Sequence, residues 1–270
     1  MSFLSVKRIL FVFCFVFCSI GFTYSNAQTK SYAYVTLDTV HLKQDTLDWS
    51  LVFYMPHNSK VSFTNERPDS LNNEISLSVA CAFTASNLKG VVGDYVCRGR
   101  LYSNTRDVET GFCVILKDTI IIDYLNDTSL FYKNLAIKNK GAYFQQMLLL
   151  KDGDTVECTI FRKQKPTFRR CLAWYNGRGV VIESVDRLTF EDFANALRKV
   201  GIKDAIYLDM GTWSDGFVRL KDKTIFSIGH LKYNTKYQTN WLRYIYEPSK
   251  QKKSSKAIRT SNQRKPKKKK

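Results

Sequence analysis

Metal-binding and disulfide signatures are missing from this 270-residue chain. Its seven cysteines form no Cys-x-x-Cys pair, and its three histidines, His41, His57 and His230, are scattered along the sequence. A zinc enzyme is therefore disfavoured, since such sites need three or four closely spaced ligands. No cofactor is expected, because no ligand cluster requires one. No stretch repeats at a fixed period. Past the N-terminus, no segment reads as the roughly 20-residue apolar run that crosses a bilayer. Acids are missing from one end: residues 249–270 hold eleven Lys/Arg and no Asp or Glu.

That last absence explains the formal charge of +18. Two more basic residues, Lys7 and Arg8, sit at the N-terminus, and residues 28–248 balance 29 basic against 24 acidic side chains, about +5. The tail has too few apolar residues for a core and reads as a disordered, solvated segment. A sharper expectation is salt-sensitive attachment to anionic envelope polymers or lipid head groups. Nucleic acid ranks below both, because the N-terminus reads as an export signal. Lys7 and Arg8 precede an apolar stretch from Ile9 to about Tyr24, and Ser25-Asn26-Ala27 suits signal peptidase. An uncleaved anchor is the second choice. The expected organisation is a signal over 1–27, one domain over 28–248 and the tail over 249–270. The protein is then periplasmic, surface-associated or secreted.

Processing leaves Cys81, Cys97, Cys113, Cys158 and Cys171, an odd number, most of them in apolar text where a buried thiol is the ordinary reading. That text is mostly strand-like: 32–40, 47–54, 75–83, 112–116, 119–124, 143–150 and 156–161 are rich in β-branched and aromatic residues. Lys151-Asp152-Gly153-Asp154 and Lys117-Asp118 read as hairpin turns, and Asn176-Gly177 as another turn. One helix is predicted over 190–200, with Thr189 as its cap, Glu191 and Asp192 in its first turn and Lys199 in its last. Phe190, Phe193, Ala194 and Leu197 form its buried face. The helix joins the apolar run 179–185 to 205–208, a strand–helix–strand crossover over 179–209. Crossovers usually join parallel neighbours, so an α+β domain with a mixed, largely antiparallel sheet is expected.

Ala205-Ile206-Tyr207-Leu208 stops abruptly at Asp209, which puts a carboxylate at the rim of a sheet, where α/β proteins usually build their sites. On pattern alone the commoner role of such an acid is to cap the next turn. Upstream, Arg169 and Arg170 enter a strand of the same unit, where a guanidinium can grip a phosphate or carboxylate with two parallel hydrogen bonds, or else form a salt bridge or surface pair.

The order Arg-x-small, Asn-Gly turn, strand, Leu-Thr-Phe-x-x-Phe helix, glycine and Ala-Ile-Tyr-Leu-Asp resembles the phosphodiester glycosidase family. So do Ala80-Cys81-Ala82-Phe83-Thr84, Gly93-Asp94, Gly99, Phe144-Gln145-Gln146 and Thr239-Asn240-Trp241, so that the resemblance covers about residues 75–246. It implies a mixed α/β domain and cleavage of the bond between a sugar's anomeric carbon and a phosphate, with a carbohydrate or sugar phosphate as partner. Arg170, or Arg169 if the register slips by one, would hold the leaving phosphate. Asp209 would activate water or steady the charge developing on the sugar. Gly211 would admit backbone near the ligand; Thr212, Trp213, Ser214, Asp215, Thr84 and Gln145 would complete the subsite. Better-known members carry Leu-Asp-Gly-Gly-Gly-Ser where this chain reads Leu208-Asp209-Met210-Gly211-Thr212-Trp213, and Ala82-Phe83-Thr84 replaces their early Asn-Gly-Gly loop. Met210 narrows the space beside the acid, and a hydrogen-bonding Asn is gone. The alternative to an enzyme is a non-catalytic module that binds sugar phosphates or anionic glycans in the same cleft, and a third reading is a scaffold tethered by its tail.

Overall fold

Alternating apolar text builds three antiparallel sheets here, and the two α-helices of the described residues serve only to cover them. The computed structural model describes residues 31–44, 47–102, 110–117, 119–157, 165–211, 214–230 and 235–248. The contacts divide the chain into Met1–Ser31 and Tyr32–Lys270, and all three sheets belong to the second unit. The predicted signal, the tail, Cys158, Asp118 and the end of the 156–161 run lie outside the described residues.

The first sheet runs β1 (Tyr34–Gln44), β2 (Leu47–His57), β13 (Arg178–Ser184), β12 (Arg170–Tyr175), β14 (Ala205–Leu208), β10 (Leu148–Lys151) and β11 (Asp154–Thr155), in that spatial order. The second runs β16 (Ile225–Ile228), β15 (Gly216–Arg219), β4 (Ile75–Ala80), β17 (Trp241–Tyr246) and β3 (Ser59–Thr64). The third runs β6 (Arg100–Tyr102), β5 (Tyr95–Cys97), β9 (Ala142–Gln146), β7 (Gly111–Ile115) and β8 (Ile120–Tyr124).

All the strand pairs within these sheets are antiparallel. The α+β expectation with a mixed sheet is therefore overturned, and the fold is mostly β. The predicted crossover exists in the chain, but β13 and β14 are not neighbours: β12 lies between them. The cause is local. Asn176 and Gly177 both have positive φ, 50° and 75°, which closes a tight two-residue hairpin and pairs Tyr175 with Arg178. That hairpin occupies one edge of β13, β2 occupies the other, and β14 is left to pair with the free edge of β12.

The inner faces share one core. Tyr54, Leu172, Val181 and Leu208 of the first sheet meet Leu77, Val79, Leu242 and Tyr244 of the second and Cys113 and Phe144 of the third. On the other face of the first sheet, α2 (Phe190–Lys199) packs Phe193, Ala196 and Leu197 against Cys171, Ile182 and Tyr207. Thr189 caps this helix, its hydroxyl accepting from the Asp192 N–H. Phe193 is fully buried, so Phe193→Ala should cost about 3–5 kcal/mol, read as a lowered urea midpoint at unchanged slope. The other helix, α1 (Thr128–Lys138), lies beside Phe112 and Tyr143 on the outer face of the third sheet. The sequence reading missed it because it buries Ala136 and leaves Leu130 and Phe131 exposed, so no apolar stripe marks it.

Candidate functional site

Strand β14 ends where its backbone changes sheet. After Leu208, the Asp209 N–H donates to the Cys81 carbonyl at 2.7 Å, at the end of β4, and the Ala80 N–H donates to the Asp215 carbonyl at 3.2 Å. Asp209 and Asp215 thus tie the end of β14 and the start of β15 to the second sheet. Asn240 braces the same corner: its side chain accepts from the Ala82 N–H at 2.7 Å and donates to the Ala82 carbonyl at 2.9 Å.

Asp209 is buried at this junction. Its Oδ1 accepts the Gly211 N–H at 3.0 Å, so the turn-capping role is present in the structure. Burial raises its carboxyl above the ordinary range, and the Gly211 N–H and the Arg170 charge oppose that rise. Arg170 enters from β12, where it pairs with Leu208, the residue next to Asp209. Alternation along β12 sends Arg170 to the same face as Leu172, into the inner core.

A buried charge needs a partner, and Arg170 has one that the sequence reading did not name. Glu183, directly opposite on β13, places Oε1 at 2.5 Å from both Nε and Nη2. Tyr54 of β2 donates its hydroxyl to Glu183 Oε2 at 2.9 Å, and burial raises the Tyr54 phenol strongly. The signal that could have found Glu183 is a lone acid inside the apolar run Gly179-Val180-Val181-Ile182-Glu183. Arg170 Nη2 also reaches the Ser214 carbonyl, at a long 3.5 Å, while Nη1 is buried with no hydrogen-bond partner among the described residues.

The structure brings Asp209, Arg170, Gly211 and Ser214 together and engages Arg169, Gln145, Asp215 and Thr84 in other contacts. Arg169 takes the opposite face: its guanidinium stacks on Phe190 at 3.6 Å and its Nε donates to the Leu188 carbonyl. Burial lowers its pKa, and it faces Tyr207, whose phenol is pushed up to about 12 mainly by burial. Gln145 shares the helix-covered face of the third sheet with Tyr143, whose hydroxyl accepts from its Nε2 at 3.4 Å. Gln146, not singled out as a site residue, alternates to the inner face and keeps its buried Nε2 without a partner. Asp215 pairs with Arg67 at 2.8 Å. Thr84 shares a hydrogen bond with Thr239 at 3.2 Å. Thr212 and Trp213 lie outside the described residues.

A cavity of about 560 Å³ opens beside the start of α2, lined by Met147, Leu149, Thr155, Thr189, Phe190 and Glu191 among others. Phe190 meets Tyr207 edge-on, so this space adjoins the outer face of the strand that ends at Asp209. Among the described residues, no three His, Cys, Asp or Glu side chains group as a metal site would need.

Gly229 holds the loop against Arg170. Its φ is 101°, and a Cβ there would stand 1.9 Å from the Ser214 carbonyl oxygen. Gly229→Ala must displace the acceptor of the Arg170 Nη2 contact and strain the backbone, with an expected loss of about 1–3 kcal/mol, measurable by thermal unfolding.

The fold and site define a class: a mostly-β domain that sets a buried Arg–Glu pair near a buried aspartate where a strand leaves its sheet. A solved structure with a similar fold is the zebrafish N-acetylglucosamine-1-phosphodiester alpha-N-acetylglucosaminidase catalytic domain, auto-inhibited by its pro-peptide. The two align with a TM-score of 0.56 at 13% identity, covering 83% of this chain and 85% of that one, a likeness of fold. A hypothetical protein from Synechocystis aligns with a TM-score of 0.46 at 10% identity, over 78% of this chain and 62% of that one. No protein-family model and no curated protein matches the chain.

Proposed function

We propose that this chain is an exported hydrolase of the phosphodiester glycosidase type, cleaving a glycosyl phosphodiester in a glycan or envelope polymer. The observation that carries the reading is the placement of an arginine and an acid at the end of β14, where Arg170 lies opposite Leu208, the residue before Asp209. Asp209 is a buried acid with a raised pKa, and Arg170 keeps one guanidinium nitrogen without a hydrogen-bond partner among the described residues. The shared fold of the zebrafish catalytic domain supports the reaction class.

In the proposed step, the bond between the anomeric carbon and the phosphate oxygen breaks, and the electron pair leaves with the phosphate. Arg170 Nη1 donates to the departing oxygen, which is already a good leaving group and needs little general-acid help. Water adds to the anomeric carbon, and Asp209 takes its proton or steadies the positive charge on the ring.

The second reading, a non-catalytic sugar-phosphate module, is favoured by a different observation. Asp209 Oδ1 is engaged by Gly211, and Arg170 is engaged by Glu183, so both groups also act within the fold. Turnover separates the two. The full chain is incubated with a panel of sugar-1-phosphodiesters and released sugar is measured. Cleavage by wild type that disappears in Asp209→Asn supports the enzyme. Saturable binding without release across the panel supports the module.

A further inference from the structure

We propose that Glu183 is a specificity-determining residue: by pairing with Arg170, it makes the site select a singly charged oxyanion over a doubly charged one. The inference rests on the reading that Arg170 receives the ligand's phosphate.

A lone arginine offers a carboxylate or phosphate two parallel N–H bonds and a full positive charge. Arg170 offers less. Glu183 Oε1 takes both Nε and Nη2 at 2.5 Å, and the Nη2 side also meets the Ser214 carbonyl. Tyr54 occupies Oε2 of Glu183, which fixes the carboxylate from behind. What remains for a ligand is the Nη1 edge, buried and without a hydrogen-bond partner among the described residues. That edge belongs to an ion pair rather than to a free cation, and Asp209 beside it adds negative charge once ionised. A phosphate with one negative charge can accept from Nη1 at low cost. A second charge on the ligand meets Glu183 and Asp209 in a buried setting, where repulsion is poorly screened.

The test uses the full chain and two small probes, dimethyl phosphate, which carries one charge, and methyl phosphate, which carries two at pH 8. Binding is followed by titration calorimetry. Wild type should bind dimethyl phosphate at least tenfold more tightly than methyl phosphate. Glu183→Gln keeps an acceptor for Arg170 and removes the charge, and should shrink that ratio at least tenfold. An unchanged ratio in Glu183→Gln overturns the proposal, as does a wild-type preference for the dianion. Affinities that survive Arg170→Gln would mean binding elsewhere, for instance on the basic tail, and also overturn it.

If Glu183→Gln does not fold, a pH series on wild type decides instead. The methyl phosphate dianion takes up one proton near pH 6 and becomes a monoanion, so its affinity should converge on that of dimethyl phosphate between pH 8 and pH 5. The groups facing the site are Asp209, Glu183, Tyr54 and Cys81, and a proton gained by Asp209 lowers the repulsion on the dianion and moves the ratio in the same direction. A constant ratio across the series overturns the proposal. Hydrolysis is assayed in parallel. A chain that cleaves glycosyl phosphodiesters without a Glu183-dependent ratio loses this inference alone. One that shows the ratio and cleaves nothing loses the enzymatic reading alone. Binding of neither probe overturns this inference, and joined with no cleavage it overturns both.

Discussion

Asp209→Asn should lower kcat on a cleavable sugar-1-phosphodiester by about 10²–10⁴-fold, the range for losing a general acid or base, while the folded structure persists. Asparagine keeps the oxygen that accepts the Gly211 N–H, so the turn survives and the ionisable group alone is lost. The same substitution should stabilise the fold at neutral pH. Burial raises the Asp209 pKa in the folded chain, so ionising it opposes folding. That penalty is absent below the unfolded-state value of about 3.9, grows as pH rises toward the folded value, and is constant above it. Denaturant midpoints of wild type and Asp209→Asn should therefore diverge at pH 7 and meet near pH 3. Wild-type kcat should fall on the acid side with a midpoint above the usual aspartate range. Equal stability at both pH values would mean that the carboxylate is better solvated than its burial implies.

The second large effect concerns the buried pair beneath it. Glu183→Ala leaves the Arg170 guanidinium charged, fully buried and unpaired, and should cost about 3–5 kcal/mol of stability. Removing the whole network should be far milder. Arg170→Met with Glu183→Leu and Tyr54→Phe deletes both charges and the hydroxyl that would otherwise lose its acceptor, and buried ion pairs replaced this way are often neutral or stabilising. Urea unfolding of the single and the triple variant measures the contrast. The triple variant should fold and show no turnover, since it lacks Arg170. A triple variant as unstable as Glu183→Ala would show that the network also organises the loop at Ser214.

How much of this was legible depends on the range of the interactions involved. The helix was read nearly to its observed bounds, because its cap, first-turn acids and apolar stripe all lie within eleven residues of one another. The Asn-Gly hairpin and the strand stopping at Asp209 are equally local. The long run 143–150 concealed a break: Met147 separates β9 from β10 as the chain passes from the third sheet to the first. Nothing in its composition marks that corner. The choice between Arg169 and Arg170 was open because an alternation shifted by one residue exchanges the faces, and only the pairing with Glu183 and Leu208 decides which arginine faces inward.

Asp209 shows the division most clearly. By itself, the sequence determined that an apolar strand ends in a carboxylate, that a capped helix and a tight hairpin precede it, and that two arginines enter the same unit. Side-chain periodicity and turn chemistry act over a few residues and can be read from order alone. Tertiary structure decided that β12 lies between β13 and β14, that Cys81 receives the Asp209 N–H, and that Tyr54 and Glu183 stand behind Arg170. Those contacts join residues as far apart as 129 positions, and they depend on which strand edges remain free once nearer pairings have formed.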